Sequence, residues 1–149
     1  MWMIDLPKTP SGLRAGWFNL HKSIGITLGV LILLRICWRL THRPPRLPNA
    51  LSKRDISLAK YGHLALYVTM FIAPTSGFLG SAFSKYPIQY FGYALPKINN
   101  ANEQLKSIFS EVHYYAICVL IALITIHLLA TIKHAIVDKV NLLERMKIK

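Results

Sequence analysis

An all-α, transmembrane helical bundle is the fold class this sequence predicts, and three observations carry it. Three apolar stretches, at about 17–40, 57–83 and 112–136, are each long enough to cross a bilayer, which takes about 20 mostly apolar residues. Their central parts hold no Lys, Asp or Glu. Clusters of proline and glycine separate them. With 53% hydrophobic and 16% charged residues and a mean hydropathy of +0.36, the chain lacks the polar helix faces that a soluble bundle requires. One domain accounts for all 149 residues.

Taken in order, Leu6–Gly16 holds two prolines and two glycines and reads as a loop. The first span follows, wholly uncharged from Ser23 to Leu34, with Arg35 and Arg39 near one end, where long side chains snorkel to the interface. His42–Pro48 has three prolines in seven residues and is a second loop. The second span contains Pro74 and Gly77, which predict a kink with either a packing or a cofactor reason. Tyr86–Asn102 mixes two prolines with Tyr86, Tyr90, Phe91 and Tyr93, a loop composition suited to the membrane interface. The third span then begins near His113.

The net charge of +12 sorts by side of the membrane. Arg35, Arg39, Arg43, Arg46, Lys53, Arg54 and Lys60 flank the first connection, and Lys133, Lys139, Arg145, Lys147 and Lys149 follow the third span. These twelve stand against six on the other side, Lys8, Arg14, Lys22, Lys85, Lys97 and Lys106. Excess basic residues mark the cytoplasmic side, so the N-terminus is expected outside and the C-terminus inside. The charge is thereby explained without a nucleic-acid partner. Cys37 and Cys118 lie at different depths, too far apart for a disulfide, and read as small core residues. Met1–Ile4 resembles the last turn of a helix, and an outside N-terminus would have to cross the membrane with no signal sequence ahead of it.

Histidines carry the chemistry. His21 lies one turn into the first span and His113 at the start of the third, so both sit at similar outer depth. His127 follows His113 on nearly the same helix face, about 21 Å further along the axis. That spacing suits two stacked cofactors. Gly25 and Gly29 follow His21 at steps of four, clearing side-chain bulk for a flat macrocycle or making a small-residue helix contact. Two axial imidazoles suffice for haem iron, whereas zinc would want four converging ligands. The residues themselves leave haem, satisfied core histidines and another metal open. His63 matches His127 in depth, as an axial ligand, a partner of a haem propionate or quinone, or an interfacial residue. His134, beside Lys133, is a candidate for a quinone or propionate contact. His42 is expected to be solvated.

The segments FNLHKSIGITLGVLILLRICWRL, LAKYGHLALYVTMFIAPTSGFLGSA and SEVHYYAICVLIALITIHLLATIKH together resemble the bacterial cytochrome b561 family over essentially the whole chain. HKSIG, the Gly-His segment with Pro-x-Ser-Gly, and the two histidines of the third span make the likeness specific. It implies a four-helix bundle of the bacterial inner membrane with two b haems, a respiratory-chain electron carrier exchanging electrons with a quinone pool such as ubiquinone. By position, His21 and His113 look like the axial pair of the outer haem and His127 like one ligand of the inner haem. The family's partner for His127 comes from an additional first helix. This sequence begins where that helix ends, so one haem site is complete and the second lacks a ligand. Either the start lies upstream or the chain is a truncation, in which case His63 becomes the candidate partner. Arg35 and Arg39 would pair with propionates or simply set topology. The expected function is electron transfer through bis-histidine haem b between a quinone and an unknown redox partner. A non-catalytic or truncated subunit binding one haem or none is the alternative, and dimerisation and enzymatic turnover are left open.

Overall fold

The computed structural model describes residues 13–42 and 52–137. Three long helices dominate them: α1, Leu13–Thr41; α2, Lys53–Ala82; and α3, Glu103–Ile136. Between α2 and α3 lie two short strands, β1 (Gln89–Tyr90) and β2 (Tyr93–Ala94), paired antiparallel with Gln89 opposite Ala94 and Tyr90 opposite Tyr93. Each helix has the length and hydropathy of a membrane span. The Met1–Ile4 fragment, most of the Leu6–Gly16 and His42–Pro48 loops, and Lys139, Arg145, Lys147 and Lys149 lie outside the described residues, while Lys133 falls in the last turn of α3.

The molecule is apolar on its outside. Its buried hydrophobic residues are small apart from Ile88, namely Ala73, Ala82 and Ala116, while Leu31, Leu34, Leu64, Ile121, Ile126 and Leu129 are exposed. An apolar surface of this extent is incompatible with water and is stable where acyl chains cover it. The spans are thus observed as helices, with boundaries that differ from the apolar stretches. α1 begins at Leu13, inside the segment expected to be a loop. α3 begins at Glu103, so His113 lies ten residues into a helix rather than at its start. The added turns are polar and capped by Asn102, whose side chain accepts from the Leu105 N–H. Hydropathy finds membrane residues; it does not register a helix that continues beyond the bilayer.

Small residues decide how the helices meet. α2 presents Ala73, Ser76, Gly77 and Gly80 along one face, all but Gly77 buried, and the stripe allows α3 to approach closely. A Cβ placed on Gly80 would lie 3.4 Å from Ser110 Oγ, and Phe83 stacks on Phe109 with ring centroids 5.8 Å apart. α1 leans on α2 through Gly29, whose added Cβ would meet the Pro74 ring at 3.3 Å. α2 remains one helix through Pro74. Among the described residues α1 packs on α2 and on β1, and makes no direct backbone approach to α3. The two helices therefore meet through side chains alone.

The connection expected to be an irregular loop contains the hairpin. Phe91 and Gly92 form its two-residue turn, both with positive φ, 46° and 92°, as a primed hairpin turn requires. Tyr86, Phe91 and Tyr93 are exposed, in keeping with an interfacial position, but Tyr90 turns inward to Thr27 of α1. Cys37 and Cys118 are both free thiols and face outward rather than into a core. Cysteine behaves as a small hydrophobe, so a lipid-facing position satisfies it equally well.

Candidate haem site: two histidine pairs

Two pairs of imidazoles are brought together by the packing just described. His21 of α1 and His113 of α3 face each other with ring centroids 6.0 Å apart and planes inclined at 76°. His63 of α2 and His127 of α3 lie at 5.2 Å and 63°. The pairs follow from one register: α2 and α3 run antiparallel, Gly77 faces His113, and fourteen residues along each helix His63 faces His127. Fourteen residues are nearly four turns, so each helix returns the same face.

His113 is the best-held of these side chains. Its Nδ1 lies 2.7 Å from the Ala73 carbonyl oxygen. A carbonyl only accepts, so Nδ1 carries the proton and donates, which leaves the Nε2 lone pair available to a metal. This is the arrangement by which a ligating histidine is oriented from behind. Gly77 makes it sterically feasible: a Cβ there would lie 2.9 Å from His113 Nδ1 and 3.0 Å from Cε1. Sequence reasoning singled out Gly77 as a kink residue and missed this purpose; the signal was its position fourteen residues after His63, matching the His113–His127 spacing.

The pairs fit haem ligation unequally. Two imidazoles on opposite sides of one metal, each nitrogen about 2 Å away, have ring centroids about 6 Å apart. His21 and His113 match that spacing. His63 and His127 are about 1 Å closer, and both pairs lie within the range of rings meeting edge to face. Among the described residues there is no group of three or more His, Cys, Asp or Glu side chains placed to hold a metal ion, so the pairs stand as pairs.

The remaining candidates fall around these pairs. Gly25 has open space where a Cβ would project, while Gly29 is used for the contact with Pro74, so the two glycines serve different ends. Arg35 has an exposed side chain. Arg39 lines an open cavity of ≈ 680 Å³ between the C-terminal end of α1 and residues 60–72 of α2, with Lys60, Tyr61 and His63 among its polar members and Leu64, Val68, Phe71 and Ile72 along its length. His134 is in the last turn of α3. His42, expected to be solvated, is exposed and stacks on Trp38 at 3.7 Å.

Long helices with lipid-facing apolar surfaces and histidine pairs at two depths define an integral membrane bundle of the kind that carries redox groups between helices. Residues 1–148 match the family model described as prokaryotic cytochrome b561, and the chain belongs to that family. It is similar to cytochrome b561 homolog 2 of Escherichia coli (strain K12), 31% identical over 151 residues that span 98% of this chain and 78% of the relative. It is also similar to the probable superoxide oxidase CybB of Yersinia pestis, 29% identical over 136 residues, 87% of this chain and 74% of the relative. The protein is accordingly a membrane b-type cytochrome of the electron-transfer class, multi-pass in the inner membrane.

Proposed function

We propose that this protein transfers single electrons through haem b held by His21 and His113, and that it exchanges them with a quinone. The observation that carries the reading is the 6.0 Å imidazole pair joining two helices whose backbones make no close approach. Haem b, when bound, supplies a one-electron iron couple and, with both axial positions filled, no open site for oxygen. His113 offers Nε2 because its Nδ1–H is committed to Ala73.

His127 is the ligand candidate for a second, inner haem, with His63 as the neighbour whose ring sets its orientation; their 5.2 Å contact supports that division of roles. The adjoining cavity has the composition a quinone needs. Arg39, Lys60, Tyr61 and His63 offer donors to its carbonyl oxygens, and Leu64, Val68, Phe71 and Ile72 accept its tail. The basic asymmetry assigns this end to the cytoplasmic side, with the hairpin outside. The name of the Yersinia pestis relative makes superoxide the first donor to try at the outer pair.

The test is haem quantification with oxidised and dithionite-reduced spectra of the purified protein. His21→Ala and His113→Ala are each expected to lose the outer haem's split low-spin bands. Retention of full haem content in both sinks the pairing, and a wild-type protein without such bands is the non-catalytic subunit instead. Tyr61→Phe is expected to slow haem reduction by a short-chain quinol severalfold with the low-spin bands retained; an unchanged rate would remove the quinone from the cavity.

A further inference from the structure

The backbones of α1 and α3 make no close approach, and the elements that α1 does lie against are α2 and β1. The position of His21 relative to His113 is set through those two, and β1 belongs to the outer hairpin. On α1, Asn19, Ser23 and Thr27 recur at steps of four, on a face about 160° round the helix from His21, Gly25 and Gly29. All three bind the outer hairpin. Ser23 is fully buried, at 0% exposure; its hydroxyl accepts the Phe91 N–H at 2.8 Å and donates to the Asn19 carbonyl at 2.7 Å. Asn19 Nδ2 donates to Gln89 Oε1, and the Thr27 and Tyr90 hydroxyls are 3.2 Å apart.

The Leu95 N–H donates to the Ile88 carbonyl at 2.8 Å and joins the hairpin's own two arms, and where the chain leaves α2 and enters α3 the Asn102 N–H donates to the Phe83 carbonyl at 2.9 Å. The hairpin is thereby attached to α2 and α3 through the chain that carries it. Ile88 itself is buried. Phe91 has φ 46°, a left-handed conformation that residues with a Cβ rarely adopt, and it is the N–H of this residue that Ser23 receives. A strained turn is thus held where its one unusual residue meets the back of the helix that carries His21.

We infer that the outer hairpin is a clamp that sets the distance and angle between His21 and His113, and that Ser23 is its central positioning residue. This rests on the reading of the two histidines as an axial pair. Removing the Ser23 hydroxyl leaves the Phe91 N–H without its acceptor and frees the outer half of α1 to shift relative to α3.

The experiment uses the full-length haem-loaded protein in detergent. Three readouts are taken: the largest g value of the outer low-spin signal in electron paramagnetic resonance, its reduction potential, and amide hydrogen exchange over residues 89–94. Ser23→Ala is expected to keep its haem, shift both the g value and the potential, and speed exchange in the hairpin by about tenfold. Thr27→Val shifts them in the same direction by less, and carries the test if Ser23→Ala fails to fold. Thr125→Val removes a hydroxyl that bonds only its own helix, donating to the Ile121 carbonyl at 2.9 Å, and is expected to change neither. An outer signal unmoved by Ser23→Ala and Thr27→Val, or moved equally by Thr125→Val, overturns the clamp while the axial reading stands. A signal that survives His21→Ala overturns the axial reading and the positioning role with it.

Discussion

His113 shows how much of the site depends on atoms other than the ligand's own. Its tautomer is set by the Ala73 carbonyl and its space by the missing Cβ of Gly77. Gly77→Ala is therefore expected to push the ring off its acceptor, to lower outer-haem occupancy, and to cost about 1–3 kcal/mol in thermal unfolding, as overpacking does. Gly25→Ala meets open space and is expected to leave thermal stability unchanged, so melting the two variants side by side checks the assignment. The 76° between the rings of His21 and His113 adds a spectroscopic expectation. Axial imidazoles far from parallel give a ferric signal with one large g value, whereas parallel planes give a more rhombic one. The residue types were legible in the sequence, because an imidazole deep in an apolar span stands out. Ala73 and Gly77 as supports were not, since their roles exist only once α2 lies against α3.

Helices and hairpin were legible to different degrees for a physical reason. A span is written locally, as a run of apolar side chains, and all three runs appear as helices. The hairpin is two residues per strand and owes its existence to α1: the bonds from Ser23 and Thr27 stabilise a turn that isolated strands of that length would not hold. The sequence signal was Tyr-Phe-Gly-Tyr, with glycine at the second turn position. Pro74 was readable as an exception and its use was not; it fills the notch left by Gly29. Gly29→Leu is expected to drive α1 away from α2, lowering the melting temperature in detergent and the haem content together. Intact haem content with intact stability would show that this contact does not position α1.

The assembled bundle places one histidine pair toward the end that carries the hairpin and the other toward the opposite end, with a polar-mouthed cavity beside the second. The orientation proposed from the basic residues is testable directly. With Cys37 and Cys118 replaced by Ser, a single cysteine at Tyr93 is expected to react with a membrane-impermeant maleimide in spheroplasts, and one at Ser52 only after lysis. The reverse pattern would invert the topology. The fold class, the spans and the outer pair could be argued from the sequence because they depend on depth and composition. The pairing of His63 with His127 was also raised by depth, but their 5.2 Å approach depends on the antiparallel register of two helices joined by twenty intervening residues, which depth alone does not fix. The most direct test of the central claim is near-infrared magnetic circular dichroism of the oxidised protein, which identifies the pair of axial ligands on a low-spin ferric haem. The account predicts a bis-imidazole band in the wild type, with the outer haem's contribution lost in His113→Ala. A band of other ligation, or a bis-imidazole band of full intensity in His113→Ala, would contradict it.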